Sequence, residues 1–330
     1  MKNQTVTRRP HRSTVDVIQT ETTAIARHKQ DHWFRVLFRV QGSVLVSVIP
    51  RVLVCVVFAC LITGLDELGL GVALPILGSL VPSIVLGLLL VFRTNTAYER
   101  FWEGRKLWGT LVNTVRNLAR QIWVSIGESS VADQKAKVET LKLLVAFAIA
   151  IKLHLRSEPL DAEIATLLTA EQIDKLRSMN HPPLEIAFWI ADYLQDQHDK
   201  DNLNTYQLAA MMGLLDLMVD VLGGCERILK TPIPLAYSIH LKQLVFIYCL
   251  ALPFQLVGSL GWFTPLIAGL ISFTIFGIEE IGIEIENPFG NDPNDLPLDD
   301  VCRTMYRNIQ DLITLAPSCC QWRSQVESRP

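Results

Sequence analysis

The segment at residues 74–92, LPILGSLVPSIVLGLLLVF, has no charged side chain over 19 residues. A helix of about 20 apolar residues crosses the hydrocarbon core of a bilayer. A segment at 43–65 and a pair at 241–278, divided near GSLGW at 258–262, have the same character. The two halves of that pair are short, so we expect them to tilt or to continue past these limits. The sequence predicts four membrane spans; the alternative is one long buried helix pair in a soluble protein.

Composition supports membrane insertion of part of the chain. Hydrophobic residues make up 50% of the sequence and charged residues 19%, below the roughly 25% of soluble domains. The net charge of −3 disfavours a nucleic-acid partner. The seven Cys include no CxxC pair, so neither a metal site nor a disulfide framework is predicted, and no cofactor is expected. The first 30 residues lack the apolar core of a signal peptide.

Basic residues predict the orientation of the spans. Lys and Arg number eight in 1–42, sixteen in 93–237 and four in 279–330, whereas the connectors at 66–73 and 258–262 have none. Because cytoplasmic loops are enriched in Lys and Arg, we expect both termini and the middle region to be cytoplasmic. The predicted order is an N-terminal segment, a membrane hairpin, a helical cytosolic domain, a second hairpin and a C-terminal segment, at 1–42, 43–92, 93–237, 238–278 and 279–330.

The middle region is predicted to contain helices only. Pro is absent from 83 to 158, so a helix is expected to continue from the second span to about 125. Residues 134–156 are apolar enough for a fifth span, but Lys142, Lys152 and His154 favour burial within protein. Further helices are expected at 169–179, 182–199 and 204–229, so the fold class is all-α.

The start of this middle region, RTNTAYERFWEGRKLWG at 93–109, combines aromatic and charged side chains. Four aromatic residues suit helix–helix contacts, and four charged residues are expected to pair with one another along the helix. The aromatic residues are Tyr98, Phe101, Trp102 and Trp108, and the charged residues are Glu99, Arg100, Glu103 and Arg105.

Two charged features near the spans admit alternatives. Arg51 lies within the first span, where a charge usually faces protein or water. It either faces a vestibule and attracts anions, or pairs between helices. Four Glu follow the fourth span and form either a solvated helix end or a cation site, although EF-hand spacing is absent. They are Glu279, Glu280, Glu284 and Glu286.

Three stretches resemble the bestrophin family, particularly its bacterial and plant-organelle branch. They are 93–109, LGGCERILKTPIPLAYSIHL at 222–241 and ENPFGNDPNDLPLD at 286–299, and the likeness runs in order from about 30 to 310. The resemblance implies a homopentameric ion channel with four membrane helices per subunit and a helical cytosolic domain around one central pore. Most members conduct anions, chloride and sometimes bicarbonate, whereas some bacterial relatives favour cations.

The resemblance also implies that the second span lines the pore. It implies a hydrophobic neck at Ile84, Leu88 and Phe92, whose i, i+4, i+8 spacing puts them on one helix face. Rings of such apolar side chains can gate by dewetting. The sequence pattern alone leaves other faces open, since the competing residues Leu86, Leu89 and Val91 are also apolar.

Two further sites are implied by the resemblance. A cytosolic aperture is expected at Tyr206; otherwise Tyr206 lies in an ordinary first turn capped by Asn204 or Thr205. The dense acidic run that forms a calcium clasp in animal members is reduced here to Asp292 and Asp295. Because Ca²⁺ needs six to eight oxygen ligands, we expect weak or no calcium activation, with these two carboxylates as weak candidates.

The expected function is passive conduction of chloride or bicarbonate. The alternatives are a monovalent cation channel, supported by the acidic stretch at 279–286, a membrane enzyme or transporter, and a structural or signalling membrane protein. No nucleophile motif or P-loop supports an enzyme, and four spans without an inverted repeat disfavour a secondary transporter. The expected partners are small monovalent ions, membrane lipids and further copies of the chain. The membrane is that of the bacterial cell (plasma or inner) or a thylakoid.

Overall fold

The computed structural model describes residues 42–74 and 80–315, which form helices joined by loops and contain no strand. The all-α prediction is confirmed for this part of the chain. The predicted segment before 42 and the residues after 315 lie outside the described ranges. The helices are α1 (Leu45–Glu67), α2 (Leu80–Ser125), α3 (Val131–Arg156), α4 (Ala162–Ala165), α5 (Ala170–Arg177), α6 (Pro182–Asp199), α7 (Thr205–Lys230), α8 (Leu235–Leu260), α9 (Thr264–Glu284) and α10 (Leu298–Ile313).

Three described helical stretches are long and apolar enough to cross a membrane: α1, α7 and the run Leu235–Glu284 that contains α8 and α9. A 3₁₀ turn, Gly261–Phe263, separates α8 from α9. Both helices, with 26 and 21 residues, extend beyond the predicted limits. This agrees with the expectation that the two short halves of 241–278 continue past those limits. The segment before α8 stays outside the helix, with Pro234 at φ −51° and ψ 129°, because Pro232 and Pro234 disfavour helical backbone in the residues before them.

Helices α1, α8 and α9 pack together with the first turns of α2. Val48, Cys55, Leu86, Val245 and Phe276 share one buried cluster. Helices α1 and α9 come close together at Gly269, where a Cβ would lie 2.7 Å from Cγ2 of Val56. Only glycine lets the two backbones come this close.

Helix α2 links these apolar helices to a helical domain made of its second half with α3 to α7 and α10. Its 46 residues form one uninterrupted helix, about 69 Å long at 1.5 Å per residue. The predicted continuation to about 125 is confirmed by its end at Ser125. At that end, fully buried Lys137 donates to the carbonyl of Ile126 at 2.6 Å and pairs with Glu128 at 3.2 Å, which fixes the turn into α3.

Helix α3 is the centre of the helical domain. Its stretch from Leu143 to Leu153 is buried at every residue, in one cluster with Trp108 of α2 and Met218 of α7. Protein therefore surrounds α3 on all sides, which confirms the expectation of burial rather than a fifth span. Because α7 packs in the same cluster, we assign it to this domain despite its apolar composition.

Helix α10 closes the domain through charge as well as apolar contact. Cys302, Met305 and Ile309 are buried in the core. Asp299 accepts from Lys152 at 2.8 Å and from Arg156 at 3.0 Å. Burial opposes ionisation of Asp299, but these two cations outweigh it and hold its pKa below the ordinary 3.8.

This ion-pair cluster predicts a pH-dependent effect of Asp299→Asn. At pH 7 the variant should have a lower thermal unfolding midpoint, because two cations lose their shared carboxylate. A carboxylate whose folded pKa is lowered stabilises above its ordinary pKa, and that contribution disappears as the pH falls through the folded value. The difference from wild type, followed by tryptophan fluorescence, should therefore begin to shrink as the pH falls towards 3.8 and vanish only below the lower pKa of the folded state.

The matched control is Asp300→Asn, which removes the neighbouring carboxylate. Asp300 pairs only three residues along its own helix, with Arg303, and both side chains are exposed, so little change is expected. Equal shifts for the two variants at pH 7 would contradict the assigned role of Asp299.

Candidate pore-lining helix and its junction with the helical domain

The apolar stripe predicted on the second span lies uncovered in the subunit. Ile84, Leu88 and Phe92 are 60%, 54% and 57% exposed. The buried face of α2 is instead formed by Leu86 and Leu90, at 5% and 4%. At about 100° per residue, Leu88 lies about 200° from Leu86, on the opposite face. The stripe is therefore available to a pore, to lipid or to another subunit.

The other apolar residues that could form the pore face, Leu86, Leu89 and Val91, differ in their exposure. Leu86 is buried within the subunit, and the side chain of Leu89 packs, partly buried, against the same cluster, so neither belongs to the uncovered face. Val91 is 62% exposed and stays a competitor of Phe92. A cavity of about 560 Å³ borders this end of the stripe; Phe92, Arg93, Pro232 and Tyr237 are among its lining residues.

Polar contacts that join α2 to the segments beside α8 and α9 begin directly after Phe92. Arg93 is 3% exposed. Its guanidinium donates to Oε2 of Glu286 at 3.1 Å and to the Ser238 hydroxyl at 3.0 Å. The other oxygen of Glu286 accepts from the backbone N–H of Ile233 at 3.0 Å. One carboxylate therefore joins α2 to the segment before α8 and to the segment after α9.

Arg100 connects α2, in addition, to the carboxyl end of α7. Its guanidinium donates to the carbonyls of Glu286 at 3.0 Å, of Ile228 at 2.6 Å and of Thr231. Ile228 and Thr231 lie at the carboxyl end of α7, where carbonyls lack partners in the helix. Arg100 thus caps α7 from α2. We call Arg93, Arg100 and Glu286 with these contacts the Arg–Glu junction.

The expected pairing of charges along α2 is wrong. Arg100 binds carbonyls instead of a neighbouring Glu, and Glu103 pairs with Arg227 of α7 at 2.6 Å. Glu99 accepts from Asn95 at 3.0 Å. Tertiary partners prevail because they satisfy buried or terminal groups that sequence neighbours cannot reach. Of the aromatic residues, Trp108 is buried and Phe101 packs against the core, while Tyr98 and Trp102 are about half exposed.

The acidic stretch after the fourth span is occupied by protein partners. Arg51 of α1 lies 2.8 Å from Glu280 and 3.7 Å from Glu279, which decides between its two interpretations in favour of pairing between helices. Glu284 accepts from Asn294 at 2.6 Å, and Glu286 belongs to the Arg–Glu junction. The carboxylates at 279–286 are therefore not gathered around a common cation position.

Tyr206 stands at the amino end of α7 and is 88% exposed. The N-cap is Asn204, whose side chain accepts from Gln207 N–H at 2.9 Å while the Gln207 side chain accepts in return at 3.0 Å. The capping box fixes this first turn and leaves the Tyr206 ring uncovered by its own subunit.

Asp292 and Asp295 form a loop that closes on itself. Oδ2 of Asp295 accepts from the backbone N–H of Asp292 at 2.8 Å, and burial raises the pKa of Asp295. Arg156 donates to the carbonyls of Phe289 and Gly290 at 3.2 and 3.1 Å. A guanidinium therefore uses carbonyl oxygens that a cation at this loop would need, so the residues present fit Ca²⁺ poorly.

The comparisons with known proteins agree on a family. The model of the bacterial/fungal bestrophin proteins matches residues 24–311. A voltage-dependent anion channel-forming protein of Nostoc sp. is 62% identical over 87% of this chain and 94% of its own length. A protein of the same description from Synechocystis sp. is 61% identical over 86% and 93%. The chain belongs to the bacterial/fungal bestrophin family.

Solved structures extend this result to the fold. Crystal structures of a bacterial bestrophin homologue from Klebsiella pneumoniae match with a TM-score of 0.74 and 31% identity, over 82% of this chain and 100% of that chain. Together with its apolar helices, the family makes this bestrophin a membrane protein. The three motifs that carry the resemblance meet in space: 93–109 and 286–299 also touch at Gly104, where a Cβ would lie 3.1 Å from Phe289.

One cluster in this bestrophin was not predicted from its sequence. His154, His181 and Glu226 offer ligand atoms that all lie within 4.8 Å of one another. His181 and Glu226 are 45 residues apart, and His154 and Glu226 are 72 apart. No spacing rule links residues that only the tertiary packing of α3, α6 and α7 brings together.

Arg93→Met tests the Arg–Glu junction. The substitution leaves the largely buried Glu286 carboxylate without its cation, and breaking a buried pair in this way costs about 3–5 kcal/mol. We expect a large fall in the thermal unfolding midpoint of the detergent-purified protein, with loss of the assembled species in size-exclusion chromatography.

The control is Arg303→Met, which breaks a pair whose side chains are 55% and 71% exposed. Exposed pairs contribute about 0–1 kcal/mol, so this variant should behave as wild type. If Arg93→Met were no more damaging than Arg303→Met, the junction would not hold the two parts of the subunit together.

Proposed function

We propose that this bestrophin is a homopentameric channel that conducts monovalent anions such as chloride and bicarbonate through a central pore lined by α2. The observation that carries the proposal is the uncovered stripe of Ile84, Leu88 and Phe92, opposite the face that packs within the subunit. The relatives at 61–62% identity are named as voltage-dependent anion channel-forming proteins, which supports the choice of anions.

The proposed neck is a stack of three apolar rings, one from each of these residues in every subunit. Such rings offer no hydrogen bonds to water, so a narrow neck empties readily and blocks ions until it widens. Below it, the exposed Tyr206 rings at the amino ends of α7 form a second, partly polar aperture. The ions pass both constrictions without chemical change, so the protein is not an enzyme.

The proposed membrane part consists of hairpins at 43–92 and 238–278. The proposed cytosolic part consists of 93–237 together with both termini. The membrane is the bacterial plasma membrane or a thylakoid membrane. Lipid contacts the outward faces of α1 and α9, where Val54, Val57, Leu266 and Leu270 are exposed. Tyr98 and Trp102 lie beyond the proposed span on α2, and we assign their exposed rings to contacts between subunits.

The alternative of a cation channel loses its main support. It depended on free carboxylates at 279–286, but these groups are engaged by Arg51, Arg93 and Asn294. A non-channel structural or signalling role has no specific observation in its favour.

The reversal potential of the purified protein in a planar bilayer under a potassium chloride gradient tests the proposal. We expect a shift towards the chloride equilibrium potential, and bicarbonate would then be substituted for chloride. A shift towards the potassium potential would overturn the proposed selectivity. Absence of current from a protein that assembles as a pentamer, even in neck variants, would overturn the channel itself.

Phe92→Ala tests the neck directly. Loss of the rings should widen the constriction and raise single-channel conductance, while the reversal potential changes less because no charge is altered. The matched variant is Val91→Ala, which shortens an equally exposed neighbour on α2. If conductance rose with Val91→Ala and not with Phe92→Ala, the pore would be lined by Val91 instead of Phe92.

Calcium chelation tests the acidic loop. Because Asp295 binds its own loop and Arg156 uses the adjacent carbonyls, currents should be the same with a calcium chelator as with micromolar calcium. Currents that disappear with the chelator, return with calcium and become insensitive in Asp295→Asn would establish a clasp there.

A further inference from the structure

The cluster of His154, His181 and Glu226 lies where three helices end or begin. His154 is in the last turn of α3, His181 immediately precedes α6, and Glu226 lies just before the last turn of α7. Oε1 of Glu226 lies 2.6 Å from Nε2 of His154 and 2.9 Å from Nε2 of His181. All three side chains are partly buried.

We propose that this cluster binds a divalent transition-metal ion of the Zn²⁺ type. Two imidazole nitrogens and one carboxylate oxygen are an established ligand set for zinc. Zinc ligand atoms at about 2.0–2.2 Å in tetrahedral arrangement lie about 3.3 Å from one another. The observed nitrogen–oxygen distances of 2.6 and 2.9 Å are shorter by less than 1 Å, so small side-chain rotations admit the ion.

The surroundings suit such an ion in two respects. Lys230 holds the second oxygen, Oε2, of Glu226 at 3.1 Å, which leaves Oε1 directed at the two rings and supplies the outer contact that orients a ligand. His154 also lines a cavity of about 420 Å³, from which water can supply the fourth ligand.

The site would connect segments far apart in the chain. Without metal, the polar link between these three helix ends is one carboxylate oxygen that both imidazoles contact. With metal, three coordinate bonds join the same helix ends. Zinc should therefore raise the thermal unfolding midpoint of the helical domain, because a ligand that binds only the folded protein stabilises it. This inference does not depend on ion conduction.

Zinc binding to the full chain tests the proposal. The protein is purified with a histidine-free tag, stripped with a chelator and titrated with Zn²⁺ alone. We expect one zinc per chain, and an affinity at least tenfold lower in His154→Ala, His181→Ala and Glu226→Gln. The control, His240→Ala, removes an exposed histidine of α8 and should bind as wild type.

X-ray absorption of the zinc-loaded wild type decides the matter if a variant does not assemble. It should report two imidazoles and oxygen ligands at about 2.0–2.2 Å. The proposal is overturned if the stripped protein takes up no zinc, if the absorption spectrum lacks two imidazoles, or if the three variants bind as tightly as His240→Ala.

Discussion

The Arg–Glu junction is the interaction on which the two parts of the subunit depend. Glu286 receives Arg93 on one oxygen and the backbone of Ile233 on the other, while its carbonyl receives Arg100. A buried charge is tolerated only when it is paired and hydrogen-bonded, and the contacts here come from α2 and from the segment before α8. Helix α2, the segment before α8 and the segment after α9 must therefore keep their relative positions for any of these charges to stay buried.

Because α2 is continuous, it couples the Arg–Glu junction mechanically to the proposed neck. The same helix carries Phe92 and then, without a break, Arg93, Arg100 and the buried Trp108. A displacement of the helical domain is therefore transmitted to the proposed neck, because an unbroken helix of this kind bends only gently. Gly104 and Gly224 bring the packing partners of α2 within contact, as a Cβ on either would lie about 3 Å from a neighbouring side chain. The helix has little freedom to move independently of the domain.

Features that depend on residues close together in the sequence could be predicted, whereas contacts between distant parts of the chain could not. The spans come from local hydrophobicity, and the unbroken α2 comes from the absence of Pro. The partners of Arg100 and Glu103 could not be predicted, since helix spacing favoured neighbours whereas the folded chain offers free carbonyls at the end of α7. The cluster of His154, His181 and Glu226 depends wholly on tertiary packing. The neck residues were inferred from resemblance, and the subunit narrows the choice of face by burying Leu86.

Exposure along α2 also bears on assembly. Within the membrane, lipid could cover Ile84, Leu88 and Phe92, so their exposure alone does not require other subunits. Trp102 lies about 15 Å further along the same helix, past the buried Arg93 and the partly buried Arg100. With the proposed span ending at Phe92, lipid does not reach a ring at that distance, and water covers it poorly. A second copy of the chain is the partner that covers both regions of one continuous face, which favours association around α2 over an isolated subunit.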